Sequence, residues 1–349
     1  MWITSSTDTV LTPTTVALGN FDGFHRGHQQ VVQPILNPRR VAVDSPRAAR
    51  QASGPPGPTA EVPPGLLPIA QHIYSTVVTF NPHPQEFFTG QPKKLLTPLD
   101  EKVEVLRAFG VDQLVLLPFD RQLASLTPTE FVEEILVRRL RAGRVSVGFD
   151  FRFGRGRTGS TEDLKAIAPR YGLEVHIVSR HPCENGERIS SSMIRTALER
   201  GDPQRAAHLL GRPYLLAGQV MRGQQLGRTL GFPTANLQLP ADKFLPRYGV
   251  YAVRVAGVSG SVGDAPSPKI GVMNVGSRPT VAGAPHPTVE VHLLDWGGDL
   301  YGRTLTVSLE AFLRPERKFA SLDALKAQIE ADCIEARSVL GEAKVPEEK

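Results

Sequence analysis

The 349 residues are 40% hydrophobic and 21% charged, more than one core of roughly 100 to 200 residues holds, so two domains are expected and a disordered or fibrous chain is excluded. The formal net charge of +5 and the isoelectric point near 9.3 suit an acidic partner, and arginines scattered without interleaved aromatics favour a polyphosphate substrate over nucleic acid. Cys183 and Cys333 lack zinc-type spacing and read as free thiols, Met1 to Thr15 lacks the character of a secretory signal, and no apolar run would span a membrane, so a cytoplasmic protein is expected.

In chain order, Thr15 to Leu18 is predicted as a short strand running into the turn Gly19 to Gly27, and His28 to Leu36 as the start of a helix. Residues 37–71 then lose all periodicity, with Pro38, Pro46, Pro55, Pro56, Pro58, Pro63, Pro64 and Pro68, and read as a flexible, dispensable insertion. Its Arg39, Arg40, Arg47 and Arg50 leave a lid over a phosphate tail as the competing reading.

Tyr74 to Phe80 carries the β-branched run Thr76, Val77, Val78 and Thr79, suited to a strand buried in a parallel sheet. Pro98 to Phe109 has helical spacing, and Gln113 to Leu117 reads as a strand. Thr129 to Leu140 reads as a helix opened by Thr127 and Pro128, Arg144 to Val147 as a strand, Thr161 to Tyr171 as a helix and Leu173 to Val178 as a strand. The alternation predicts an open, mostly parallel α/β sheet. Two short helices, Ser190 to Glu199 and Asp202 to Leu210, come next. After Pro213 the runs Leu215 to Met221, Gly249 to Val255, Lys269 to Val275, Thr288 to Leu294 and Leu305 to Phe312 are separated by turn signals alone, which predicts a small antiparallel sheet or barrel. Ser321 to Val339, with apolar residues at Leu322, Leu325, Ile329 and Ile334, closes the chain as a docking helix. The boundary falls near Gly211, giving domains 1–210 and 211–349.

The strongest local signal is Gly19-Asn20-Phe21-Asp22-Gly23-Phe24-His25-Arg26-Gly27-His28, between a strand and a helix. Glycines let the backbone approach a ligand, and a helix N-terminus attracts phosphate through its amides and dipole. His25 and His28 lie on one helical face, where both can donate to one phosphate chain; as metal ligands they would need a third partner. Ser191 and Ser192 can cap a helix with Arg195 one turn on, offering hydroxyls, amides and a guanidinium to a polyphosphate. Gly154-Arg155-Gly156-Arg157-Thr158-Gly159 fits G-x-G-x-x-G with Glu174 downstream, but it follows a late strand and arginines crowd it, which argues against a nicotinamide site. Gly223, Gly227 and Gly231 precede Pro233-Thr234-Ala235-Asn236, a stretch able to wrap phosphates and supply Thr234 and Asn236 oxygens to Mg²⁺. No P-loop sequence occurs.

The Gly19 to His28 string resembles the HxGH motif of the nucleotidyltransferases, and in particular its FAD synthetase branch. Thr79-Phe80-Asn81-Pro82-His83-Pro84, Val147 to Gly154 and Ile189 to Arg195 are similar to further segments of that branch, in the same order. Two positions depart: Ser192 stands where the family often has Thr, and Asn81 where it often has an acidic residue. The second half resembles riboflavin kinase through its PTAN motif, Tyr248 to Tyr251, Asn274 to Thr280, Val289 to Asp295, Asp299 to Gly302 and Leu313 to Phe319.

The resemblance is thus to bifunctional riboflavin kinase/FAD synthetase of prokaryotic type. It implies an N-terminal Rossmann-like nucleotidyltransferase domain, a C-terminal six-stranded antiparallel β-barrel kinase domain with a C-terminal helix, and riboflavin, FMN and ATP with Mg²⁺ as substrates and cofactor. It implies ATP binding by Gly19, Phe21, Asp22, Gly23, His25, Gly27, His28, Ser191, Ser192 and Arg195 in one domain and by Gly227, Gly231, Thr234 and Asn236 in the other. Flavin would meet Asp150, Phe151, Phe153, Arg314 and Glu316. The implied catalytic residues are His25, His28 and Arg195 for adenylylation and Glu290 as base for the ribityl 5′-hydroxyl; alternation with Val289 and Val291 shows only that Glu290 faces opposite to both. Another HxGH transferase with a barrel binding module, and a non-catalytic basic barrel that binds RNA or DNA, are the rival readings.

Overall fold

The computed structural model describes residues 1–36, 72–179, 189–223, 226–258, 268–280 and 283–341. The insertion read at 37–71, and Cys183, lie outside the described residues. The chain forms two compact units, one of Met1–Asn20, Gln30–Phe88 and Leu106–Ser179, the other of Phe21–Gln29, Thr89–Val105 and Arg180–Lys349.

The first unit carries one six-stranded sheet, β1 (Trp2–Thr4), β2 (Thr14–Leu18), β3 (Tyr74–Asn81), β4 (Gln113–Pro118), β5 (Ala142–Gly148) and β6 (Glu174–Val178), in the order β1-β4-β3-β2-β5-β6. Every pairing is parallel. From β2 the chain winds outward through β3 and β4, then returns to the other side of β2 for β5 and β6. The switch point therefore lies between β2 and β5, where doubly wound sheets bind ligands at the carboxyl ends of their strands. β1 escaped the sequence reading because three residues show no periodicity; it is placed by pairing Trp2 with Gln113. Its helices are α1 (Arg26–Val32, shared with the second unit), α2 (Pro84–Thr89), α3 (Leu99–Ala108, also shared), α4 (Arg121–Ser125), α5 (Pro128–Glu130) and α6 (Thr161–Ile167). Thr127 and Glu130 form a capping box with Pro128 in the first turn, as their order predicts, but Phe131–Arg139 continues with π-type winding.

The second unit holds helices α7 (Ser191–Arg200), α8 (Pro203–Leu210) and α9 (Leu226–Thr229), and a closed barrel of β7 (Tyr214–Met221), β8 (Ala235–Gln238), β9 (Gly249–Ala256), β10 (Lys269–Thr280), β11 (Gly283–Leu293) and β12 (Thr304–Arg314) in the order β10-β11-β8-β7-β12-β9. The sixth strand is β8, four residues that sequence periodicity could not reveal. Leu216, Val253, Val275, Val291 and Val307 fill the interior, and the same apolar cluster takes in Ile194, Leu198, Leu209 and Leu210 of α7 and α8. The alternate side chains Val250, Ala252, Ile270 and Val272 point outward and are covered by the last helix, α10 (Leu322–Leu340), through Cys333 and Ala336. Burial pushes the Cys333 thiol up to about 11, so it is an inert core group.

The end of β12 is tied to α10 by Arg314, whose Nε and Nη2 reach the Asp332 carboxylate at 2.8 and 2.7 Å, while Gln328 donates to the same carboxylate at 2.7 Å. Asp332 is 2% exposed. Asp332→Ala strands a largely buried guanidinium, and a loss of about 3 kcal/mol is expected for the barrel, read as a lower urea midpoint for the barrel transition. An unchanged midpoint would show that α10 docks through its apolar contacts alone.

Candidate active site

In the second unit, the turn after β2 is built on left-handed backbone at Phe21 (φ 48°), Gly23 (φ 86°) and Phe24 (φ 43°). A side-chain-bearing residue in that region costs about 1 to 2 kcal/mol; full burial of the Phe21 and Phe24 rings offsets it. α1 begins at Arg26, so His25 precedes the helix and His28 lies in its first turn, where the sequence suggested a helix from His28 with both imidazoles on one helical face. The turn brings them together by another route: the rings stack with centroids 3.6 Å apart, and the edge of Phe21 meets His28. The His28 amide donates to His25 Nδ1 at 3.3 Å, so neutral His25 carries its proton on Nε2 and is a donor there. A Cβ at Gly27 would lie 3.2 Å from the His25 ring, so glycine lets the imidazole sit close.

Asp22 is buried and is the hub of the turn. Its Oδ1 accepts from the Leu96 and Thr97 amides at 2.8 and 3.2 Å, its Oδ2 from Arg195 Nη2 at 2.5 Å, and its carbonyl from Ser191 Oγ at 2.8 Å. The N-cap of α7 is Ser190, which accepts from Met193 N, and not Ser191 or Ser192. Ser191 instead ties α7 to the turn, and Ser192 is exposed. Asp22, Ser191 and Arg195 therefore meet, with Arg195 already held by a carboxylate.

In the first unit, Gly19 donates to Val78 O at 3.2 Å as β2 ends. Asp150 and Phe151 leave the carboxyl end of β5, and Phe153, stacked on Phe151 at 5.6 Å, is buried in the core. In the G-x-G-x-x-G string the outer glycines serve packing, since a Cβ at Gly154 would lie 2.9 Å from Pro128 N and one at Gly159 3.0 Å from Phe153 O, and Ser160 with Asp163 caps the helix that follows, α6. Beyond the carboxyl ends of β3 and β4 stands an aromatic group that sequence reasoning missed. Phe119 meets Phe80, Phe87 and Phe88 at 5.6, 5.3 and 5.8 Å, and Phe88 is 69% exposed. Phe87-Phe88 after His83-Pro84 was the available signal, but Phe119 joins only through the sheet.

On the barrel, one outward-facing row crosses five strands. Asn274 pairs with Val250 and with Glu290, Glu290 pairs with Asn236, and Asn236 with Met221. Glycines make the room: a Cβ at Gly223 would lie 2.3 Å from Asn236 Nδ2, one at Gly276 would lie 2.0 Å from Glu316 Oε1 and 3.2 Å from Asn274 Nδ2, and one at Gly227 would lie 3.3 Å from Thr234 Oγ1. Gly231 (φ 89°) gives the loop its left-handed residue. Beside Thr234 opens a pocket of about 230 Å³ lined by Ala235, Val291, Trp296, Asp299 and Tyr301 among others. Among the described residues no cluster of three His, Cys, Asp or Glu could hold a metal.

The family model for FAD synthetase matches residues 7–42 and 68–193, and that for riboflavin kinase matches residues 210–340. The chain is 41% identical over 330 residues to the bifunctional riboflavin kinase/FMN adenylyltransferase of Escherichia coli K12, covering 94% of this chain and 93% of that one. It belongs to the bifunctional riboflavin kinase/FMN adenylyltransferase family. The Bacillus subtilis member is 34% identical over 329 residues, covering 92% of this chain and 90% of its own. A solved structure from Streptococcus pneumoniae, described as a macrolide-efflux protein, matches with a TM-score of 0.75 at 31% identity, over 96% of this chain and 98% of that one. As a riboflavin kinase/FMN adenylyltransferase the chain makes FMN from riboflavin and FAD from FMN, each with ATP, which calls for a divalent cation. The readings as another HxGH transferase or as a nucleic-acid barrel give way to this. No described helix is long and apolar enough to cross a membrane.

Proposed function

We propose that riboflavin phosphorylation runs on the outward row of the barrel, and the observation that carries this is the register placing Glu290 directly opposite Asn236. Glu290 accepts the proton of the ribityl 5′-hydroxyl as its oxygen bonds to the γ-phosphorus of ATP and the bond to ADP breaks. Mg²⁺ would neutralise phosphate charge, and Thr234 and Asn236, hard neutral oxygens with glycine-made space around them, are the residues that would hold it. The pocket beside Thr234 suits the purine, with Val291 and Trp296 as apolar walls and Gly227 and Gly231 shaping the phosphate loop. Glu316 and Asn274 flank the flavin end of the row, and Arg314 holds that strand end through Asp332.

FMN adenylylation is assigned to the other residues. An FMN phosphate oxygen attacks the α-phosphorus of ATP and diphosphate leaves; the nucleophile is already anionic, so the residues need only steady the charge. His25 through Nε2, His28, the amides of the Gly19–Gly27 turn and the start of α7 with Ser191, Ser192 and Arg195 supply that field. Within the first unit, Asp150 and Phe151, with Phe153 bracing Phe151 from the core, are the candidates for the flavin, and the Phe87–Phe88–Phe119 group, of which Phe88 is exposed, is a further aromatic face of that unit. Use of ATP twice supports the reading of a cytoplasmic enzyme.

The test uses the space at Gly223. Gly223→Ala puts a methyl where the Asn236 amide sits, so FMN formation from riboflavin should fall by about tenfold or more, while FAD formation from supplied FMN stays as in the parent. Chromatography of the flavins reads both. Unaltered phosphorylation would remove Asn236 from the site.

A further inference from the structure

Residues 94–97 bond along both edges. On one edge Leu95 forms a parallel bridge with Lys243, its amide donating to Asp242 O at 2.6 Å and its carbonyl accepting from Phe244 N at 2.8 Å, with Lys94 Nζ donating to Ala241 O. On the other edge the Leu96 and Thr97 amides hold Asp22, and Lys94 O accepts from Arg195 Nη2 at 3.0 Å. The segment is thus a strap from the loop before β9 to the HxGH turn. All of these residues belong to the second compact unit.

One side chain fastens the strap. Lys243 is 3% exposed, donates to Leu96 O at 2.8 Å and to Glu101 Oε2 at 2.5 Å, and lies 4.4 Å from the centre of the Tyr214 ring. Tyr214 OH in turn donates to Phe244 O at 2.7 Å, and Glu101 Oε1 accepts from Ala217 N of β7 at 3.3 Å. The strap's carbonyl at 96 and its continuation into α3 are therefore held from one ammonium group.

We propose that Lys243, which lies in the kinase half of the sequence, is a positioning residue for FMN adenylylation, fixing the strap that fixes Asp22 and Arg195 at the HxGH turn. This rests on the reading of that turn as the adenylylation site. Burial draws the Lys243 ammonium down to about 8 and pushes the Glu101 carboxyl up, as expected when desolvation offsets the attraction of a buried pair. Such a pair adds little to net stability. What it adds here is the geometry of the Leu96 carbonyl and, with it, of the Leu96 and Thr97 amides that hold Asp22.

The test is the double variant Lys243→Met and Glu101→Gln, which removes both charges and keeps the volumes. Both activities are measured on the same full-length sample, with hydrogen exchange at the Leu96 and Thr97 amides. Adenylylation kcat/KM for ATP should fall by about tenfold to a hundredfold, the effect of a small misplacement made away from the chemistry. KM for FMN should stay as in the parent, riboflavin phosphorylation should stay within about twofold, and the two amides should exchange faster. Parallel loss of both activities, or unchanged exchange with unchanged adenylylation, would overturn the proposal. Faster exchange with unchanged adenylylation would also overturn it, and would locate the fault in the assignment of the turn, since the strap would have loosened without consequence.

Discussion

Glu290→Gln is expected to cut riboflavin phosphorylation by about 10² to 10⁴, the usual worth of a positioned general base, and to leave FMN adenylylation at the parent rate. The amide keeps the shape of the side chain and its place between Asn274 and Asn236 in the row, so the sheet register is undisturbed. Val289 and Val291, its neighbours in β11, stay in the barrel core. What the amide cannot do is take a proton. The measurement is single-turnover formation of FMN at saturating ATP, with FAD formation from FMN as the internal control. A loss confined to riboflavin KM would recast Glu290 as a binding group, and equal loss of both activities would refute separate sites.

The contrast between Glu290 and its neighbours shows what the sequence could carry. Alternation in Val289-Glu290-Val291 gave its face, but its opposition to Asn236 needs β8, a four-residue strand without a readable period. Asn274 was visible only as part of a motif, because the cross-strand pair that gives it meaning spans a loop. The HxGH turn was legible since its residues are contiguous, yet Asp22 as hub was not: the amides of Leu96 and Thr97 and the Arg195 guanidinium reach it from far along the chain. Arg314 read as a flavin contact beside Glu316, whereas its carboxylate partner, Asp332, sits on a helix whose apolar positions at Leu322 and Ile334 are exposed and which docks through Cys333 and Ala336 instead. Local chemistry is written in spacing; partners brought by tertiary contact are not.

His28→Ala should produce the reverse of the Glu290 result, with FMN adenylylation down by about 10² to 10³, the range for removing one donor aimed at developing charge, and phosphorylation retained. The His28 ring lies in the first turn of α1, stacked on His25 at 3.6 Å with the Phe21 edge against it. Truncation therefore takes away one imidazole and also the surface that orients the other, while the His28 amide that fixes the His25 tautomer remains. His28→Asn keeps a hydrogen-bond donor with less stacking surface, so it should recover part of the adenylylation lost in the alanine variant. The ordering parent, asparagine, alanine in kcat, at constant kinase turnover, is the signature of a donor acting on the phosphate chain. If asparagine and alanine were equally poor, stacking on His25 would be the larger contribution; if kinase turnover fell as far as adenylylation, the turn would not belong to one activity.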